Sequence, residues 1–213
     1  MLEPAAVLWD LDGTLVDTEP IWIGAETELA ASHGYTWTHD DAMELVGSDL
    51  LVSGETIRRK IGTDMAAEDV VEFLVERVIE GLSGAEVPWR PGALDLIDGF
   101  ASAGVPQALV TMSYERIAAP LAAALPFEAV VTGDAVPRGK PHPDPYLLAA
   151  ERLGVDPTTC LAIEDSPTGA LSAQAAGCHV VVVPHLLPVP TAERQVQVAT
   201  LADQTTVTLA NLF

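Results

Sequence analysis

The sequence predicts an α/β fold: a Rossmann-like, three-layer core on a parallel sheet, with an all-helical segment set into it. Three observations lead there. Short apolar runs recur along the chain, each reading as a strand buried on both faces. Helical patterns fill the intervals between them, several ending at a glycine. One stretch, from about Pro20 to Val87, breaks this alternation and holds no convincing buried strand.

The first run, Ala5-Ala6-Val7-Leu8-Trp9, stops at Asp10-Leu11-Asp12-Gly13. Four more follow: Val105 to Met112, Ala129 to Thr132, Cys160 to Ile163 and His179 to Val183. Helices are expected near Ala93–Ala103, Tyr114–Ala124, Pro145–Leu153 and Pro167–Ala176, with stops at Gly104, Gly154 and Gly177. Such alternation of strand and helix makes a parallel sheet. Inside the interrupted stretch, Trp22–Ser32, Asp40–Val46, Gly54–Ile61 and Ala66–Leu82 all read as helices, and Pro88-Trp89-Arg90-Pro91-Gly92 marks the return to the core. The core is therefore expected at 1–17 and 88–213, and the helical module at 18–87. After Pro184 the pattern is weaker, and Thr191 to Leu201 suits a helix.

The chain has 213 residues, 49% of them hydrophobic, enough for a sizeable core. Its net charge of −21 disfavours nucleic acid and anionic membranes as partners. No apolar run is long enough to span a bilayer, and Met1-Leu2-Glu3-Pro4 lacks the basic start of a signal peptide, so a cytoplasmic enzyme, taken as a monomer, is expected. Cys160 and Cys178 read as reduced, buried thiols. Lys60 and Lys140 are the only lysines, which makes a lysine in a motif informative.

Ligands of open parallel sheets bind beyond the carboxyl ends of the strands. Polar residues gather at those ends: Asp10 and Asp12 after the first strand, Thr111, Met112 and Ser113 after the second, Lys140 after the third, Glu164 and Asp165 after the fourth. Four carboxylates at close quarters repel one another, and a hard cation such as Mg²⁺ relieves that repulsion. Lys140 supplies a fixed positive charge, and hydroxyl and backbone donors around Thr111 suit phosphoryl oxygens. A carboxylate nucleophile beside a second carboxylate points to covalent phosphoryl transfer. The implied partner is a small phosphorylated metabolite.

The segments Asp10-Leu11-Asp12-Gly13-Thr14-Leu15-Val16-Asp17, Thr111, Lys140-Pro141-His142-Pro143-Asp144 and Ile163-Glu164-Asp165-Ser166 resemble, in order, the four motifs of the haloacid dehalogenase superfamily, across nearly the whole chain. The resemblance implies that Asp10 attacks phosphorus and that Asp12 serves as acid and then base. It implies Mg²⁺ held by the Asp10 and Asp165 carboxylates and the Asp12 carbonyl, with Glu164 reaching it through water. Thr111 and Lys140 would hold phosphoryl oxygens, and Lys140 would orient Asp10. The helical module resembles the α-helical cap of one branch of the superfamily, hinged near Asp17–Glu19 and Val87–Pro91. Asp17-Thr18-Glu19-Pro20-Ile21-Trp22 and Gly139-Lys140-Pro141-His142-Pro143 are similar to sugar-phosphate phosphatases, including those for 2-deoxyglucose 6-phosphate and hexitol phosphates. β-Phosphoglucomutases usually carry histidine in place of Trp22.

Other readings compete. Asp-Gly is a common turn dipeptide, Glu164-Asp165-Ser166-Pro167 suits a helix cap, and Arg58-Arg59-Lys60 suits a solvated helix face. The histidines show no metal spacing, and Trp22 is the tryptophan expected near the cap entrance. A phosphomutase, a carbon–halogen hydrolase and a non-catalytic phosphometabolite binder are the rival functions.

Overall fold

The structure, a computed structural model, describes residues 3–83 and 86–213. Five strands follow the five expected runs: β1 (Val7–Trp9), β2 (Gln107–Val110), β3 (Ala129–Val131), β4 (Leu161–Glu164) and β5 (His179–Val182). A sixth, β6 (Gln195–Gln197), completes one sheet in the order β3-β2-β1-β4-β5-β6. Every pair is parallel.

Side chains alternate across the strands and divide the core into two layers. Val7, Trp9, Leu109, Leu161 and Ile163 pack on one face against Leu96, Ile97 and Phe100 of α5 (Ala93–Ser102). Ala6, Leu8, Ala108, Val110 and Ala162 pack on the other against Tyr146 and Ala149 of α7 (Asp144–Leu153) and Ala170 and Ala173 of α8 (Pro167–Ala175). The helix α6 (Glu115–Ala122) joins the first face through Ala118 and Leu121. Strands buried on both faces need no polar residues, which is why the runs are continuously apolar.

Between β1 and α5 lie α1 (Glu19–Ser32), α2 (His39–Met43), α3 (Leu50–Ile61) and α4 (Ala67–Ser83), which make up the helical module. They enclose a cluster of their own, including Ala25, Leu29, Trp37, Ile57, Val70 and Leu74. Thr38 and Asp41 form a capping box on α2, Asp49 caps α3, and Gly62, at φ 67°, closes α3 in the left-handed conformation. α1 starts earlier than its apolar pattern, at Glu19, because Pro20 is preorganised for a first turn.

The tail differs from expectation. Residues Thr191 to Leu201 are not helical; β6 forms there, and a short helix α9 (Thr206–Ala210) follows. β5 offers an open edge: Val180 N donates to Arg194 O at 2.8 Å, and Val198 N donates to Val182 O at 2.8 Å. Gln195-Val196-Gln197-Val198 alternates at the strand period, and pairing with that edge outweighs the segment's helical propensity.

Candidate active site

Asp10 follows β1 directly, and its amide donates to Ile163 O of β4 at 3.1 Å. Continuing the alternation, its side chain falls on the α7 side of the sheet, where Lys140 and Tyr146 lie. Lys140 Nζ donates to Asp10 Oδ1 at 2.6 Å, to Glu164 Oε1 at 2.6 Å and to Val110 O at 3.0 Å. All three ammonium protons are thus committed. The Tyr146 hydroxyl donates to Glu164 Oε1 at 2.6 Å. Lys140, Glu164 and Tyr146 are all buried, so this chain of contacts fixes the position of Asp10 in a dry setting.

The other Asp10 oxygen, Oδ2, is buried without a hydrogen-bond partner. Carboxylate oxygens of Asp10, Glu164 and Asp165 lie within 4.8 Å of one another. Burial, reinforced by the charge of Glu164, pushes Asp10 up to about 7 against the pull of Lys140. Burial, with Asp10 and Glu164 adding to it, also raises Asp165 well above the carboxylate range. Burial would lower Lys140, but Asp10 and Glu164 outweigh it and hold the ammonium above its ordinary value. One lysine does not neutralise three buried carboxyls. The donor set, with its orphaned oxygen, fits a hard divalent cation.

Gly13, at φ 85°, brings the first loop against Asp165; a Cβ there would overlap that carboxyl. Asp165 Oδ1 also accepts from Thr14 Oγ1 at 3.3 Å. Ser166, not Asp165, is the N-cap of α8, accepting from Gly169 N at 3.1 Å. Asp165 is thereby free for the site.

Asp12 is held by four donors. Oδ1 accepts from Thr18 Oγ1 at 2.6 Å and Trp22 Nε1 at 3.2 Å. Oδ2 accepts from Thr111 Oγ1 at 3.0 Å and Ser113 Oγ at 2.8 Å. Thr111 and Ser113, expected as phosphate ligands, are therefore engaged with Asp12 here. Met112 stands apart from that set in its side chain: its Sδ accepts from the Lys140 amide at 3.2 Å, which braces the Lys140 loop and offers no donor. Glu164, expected to reach a cation through water, has Oε1 shared between Lys140 and Tyr146 and Oε2 accepting from Asp165 N at 3.2 Å.

The cap covers these groups. Gly47 and Asp49, between α2 and α3, approach Ser166 and Gly139 of the core. At the base of the cap, Asp17 N donates to Pro88 O at 2.9 Å, and His185 Nε2 lies 3.1 Å from Asp17 Oδ1. Arg58-Arg59-Lys60 stays out of the cavity; Lys60 pairs with Asp41 and Glu44 and Arg58 with Glu55. Sequence reasoning did not single out Tyr146, Thr18, Glu19 or Glu26. Thr18 and Glu19 entered it only as part of the hinge expected near Asp17–Glu19, and nothing local marks Tyr146 or Glu26.

A parallel sheet whose four strand ends bring acidic, hydroxyl and basic groups together under a helical module defines a hydrolase of the haloacid dehalogenase type. Comparison with known proteins agrees: the model of haloacid dehalogenase-like hydrolases matches residues 4–177, and the chain belongs to that family. Hexitol phosphatase A of Escherichia coli K12 is 36% identical over 179 residues, covering 83% of this chain and 81% of that protein. Phosphoglycolate phosphatase of Escherichia coli O157:H7 is 30% identical over 208 residues, covering 81% and 78%. Among solved structures, CbbY of Rhodobacter sphaeroides in complex with xylulose-(1,5)bisphosphate superposes with a TM-score of 0.83 at 27% identity, covering 96% of this chain and 98% of that one. The chain is a phosphatase-type enzyme of this family.

Proposed function

We propose that this enzyme is a Mg²⁺-dependent phosphatase of small phosphorylated metabolites, sugar phosphates foremost, acting through an aspartyl-phosphate on Asp10. The observation that carries the proposal is the state of Asp10: one oxygen pinned by Lys140, the other buried and unpartnered beside Asp165.

Asp10 attacks phosphorus through a carboxylate oxygen, and the bond from phosphorus to the leaving alcohol breaks. Asp12 gives that alcohol its proton. Asp12 next takes a proton from water, the water oxygen bonds to phosphorus, and the Asp10–phosphorus bond breaks to release phosphate. Asp12 enters the first step protonated, its proton taking the place of one of its four donors; where the exchange is at Oδ2, Thr111 or Ser113 is released for a phosphoryl oxygen. Lys140 favours the ionised form of Asp10 and aims it. Mg²⁺ would be held by Asp10, Asp165 and the Asp12 carbonyl, and when bound it supplies positive charge to the carboxylates and the phosphoryl group. Residues 18–87 act as the cap that excludes water during the transfer.

The similarity to hexitol phosphatase A supports hydrolysis of a sugar-type phosphate. Trp22, where the mutases carry histidine, supports hydrolysis over phosphoryl return. We infer a cytoplasmic setting from the unbridged, buried Cys160 and Cys178; among the described residues no helix is long and apolar enough to cross a membrane. A panel of phosphate esters assayed with and without Mg²⁺ tests the function. Phosphate release that requires Mg²⁺ and disappears in Asp10→Asn is expected; release unaffected by Asp10→Asn would sink the proposal.

A further inference from the structure

The cap half of the cavity has its own chemistry. Glu19, Trp22 and Glu26 line it from α1, with Ser48 and Ser53 from the next elements. Glu26 is only 6% exposed and Glu19 only 8%. One Glu26 oxygen accepts from Trp37 Nε1 at 3.0 Å, which fixes the carboxyl in the cap; its other oxygen has no hydrogen-bond partner among the described residues. The Glu19 carboxyl lines the cavity with neither a hydrogen bond nor an ion pair among the described residues.

No cation balances them. Lys140 is the one basic residue lining the cavity among those described, and its three protons are committed at the core end. The free oxygens of Glu19 and Glu26 face the cavity, so an occupant that displaces water from them must supply donors in its place. Hydroxyl groups do this without bringing charge. A carboxylate or second phosphate would meet two carboxyls in a desolvated space with no counter-charge.

Resting on the phosphatase reading above, we infer that Glu26, with Glu19 beside it, selects phosphomonoesters whose leaving alcohol is rich in hydroxyls and rejects leaving groups that carry a second anion. Glu26 is a specificity residue, remote from the phosphorus. Ile23, Leu45 and Leu74 supply apolar walls for the carbon chain of such an alcohol. The ligands named for phosphoglycolate phosphatase and for the CbbY complex each carry a second anionic group. This cavity is built against both.

The test is calorimetric and needs no turnover. Asp10→Asn protein in Mg²⁺ is titrated at about pH 9, where Glu26 and Glu19 are ionised, with glucitol 6-phosphate, phosphoglycolate and fructose 1,6-bisphosphate. The hexitol phosphate is expected to bind at least tenfold tighter than phosphoglycolate or the bisphosphate. Adding Glu26→Gln, or separately Glu19→Gln, keeps a hydrogen-bonding group but removes the charge, and should shrink that ratio to below threefold. Equal or tighter binding of either anionic ligand, no binding of the hexitol phosphate, or a ratio unmoved in both variants overturns the inference. Mg²⁺-dependent turnover of p-nitrophenyl phosphate by the unsubstituted enzyme is read separately. Its absence would end the phosphatase reading, while the binding order would still decide the selection.

Discussion

At the scale of single residues, the site is a problem of surplus negative charge. Asp10 is aimed by Lys140, Lys140 is anchored by Glu164, and Glu164 is held by Tyr146. Lys140→Met leaves Asp10 and Glu164 buried without compensation, and breaking a buried pair this way costs about 3–5 kcal/mol. A chemical-denaturation midpoint should fall accordingly, with activity lost. Tyr146→Phe removes one hydrogen bond, so it should cost about 1–2 kcal/mol and lower kcat more than it raises KM. Glu26 gives a pH signature. Burial, opposed by Trp37, raises it from 4.5 to about 7, and burial with the charge of Asp12 raises Glu19 to about 8. Between those limits the folded state holds protons that the unfolded state has released. That stabilisation is complete below pH 4.5 and is lost as pH rises through about 7 to 8. Metal-free protein should therefore melt at a higher temperature at pH 5.5 than at pH 8, and Glu26→Gln should flatten the difference.

Elements bring these residues together, and here the sequence was uneven in what it disclosed. The five core strands were legible because strands buried on both faces are continuously apolar, and the polar residues that end them were legible because each interrupts such a run. Asp10, Asp12, Lys140, Glu164 and Asp165 all lie where that reasoning puts them. β6 was not legible, since an edge strand is decided by its neighbour's free hydrogen bonds. Tyr146 and Glu26 were hidden because each lies in an ordinary helical pattern and meets its partner only through tertiary packing. Gly169 shows how closely an element end is fitted to the site. It occupies the first turn of α8, where alanine would ordinarily stabilise a helix, yet a Cβ there would overlap the Glu164 carboxyl. Gly169→Ala should lower both melting temperature and kcat by displacing Glu164 from Lys140. A variant that gains stability with kcat unchanged would show that Glu164 does not set the position of Lys140.

For the whole molecule, a net charge of −21 surrounds a site meant for an anion. Local positive charge has to overcome that field, and Lys140 alone falls short. Divalent cations are therefore expected to stabilise the protein as well as activate it. Mg²⁺ at a hundredfold excess over its dissociation constant adds about 2.7 kcal/mol, which for a chain of this size is a rise of roughly 5–10 °C in Tm. Asp165→Asn should abolish that rise. The central claim concerns the covalent bond at Asp10. It is tested most directly by quenching the enzyme during turnover with Mg²⁺ and a hydrolysed ester, reducing with borohydride and mapping the product by peptide mass spectrometry. An acyl phosphate at Asp10 predicts reduction of that one side chain to an alcohol, dependent on substrate. Continued phosphate release with Asp10 unreduced in every quenched sample would contradict it.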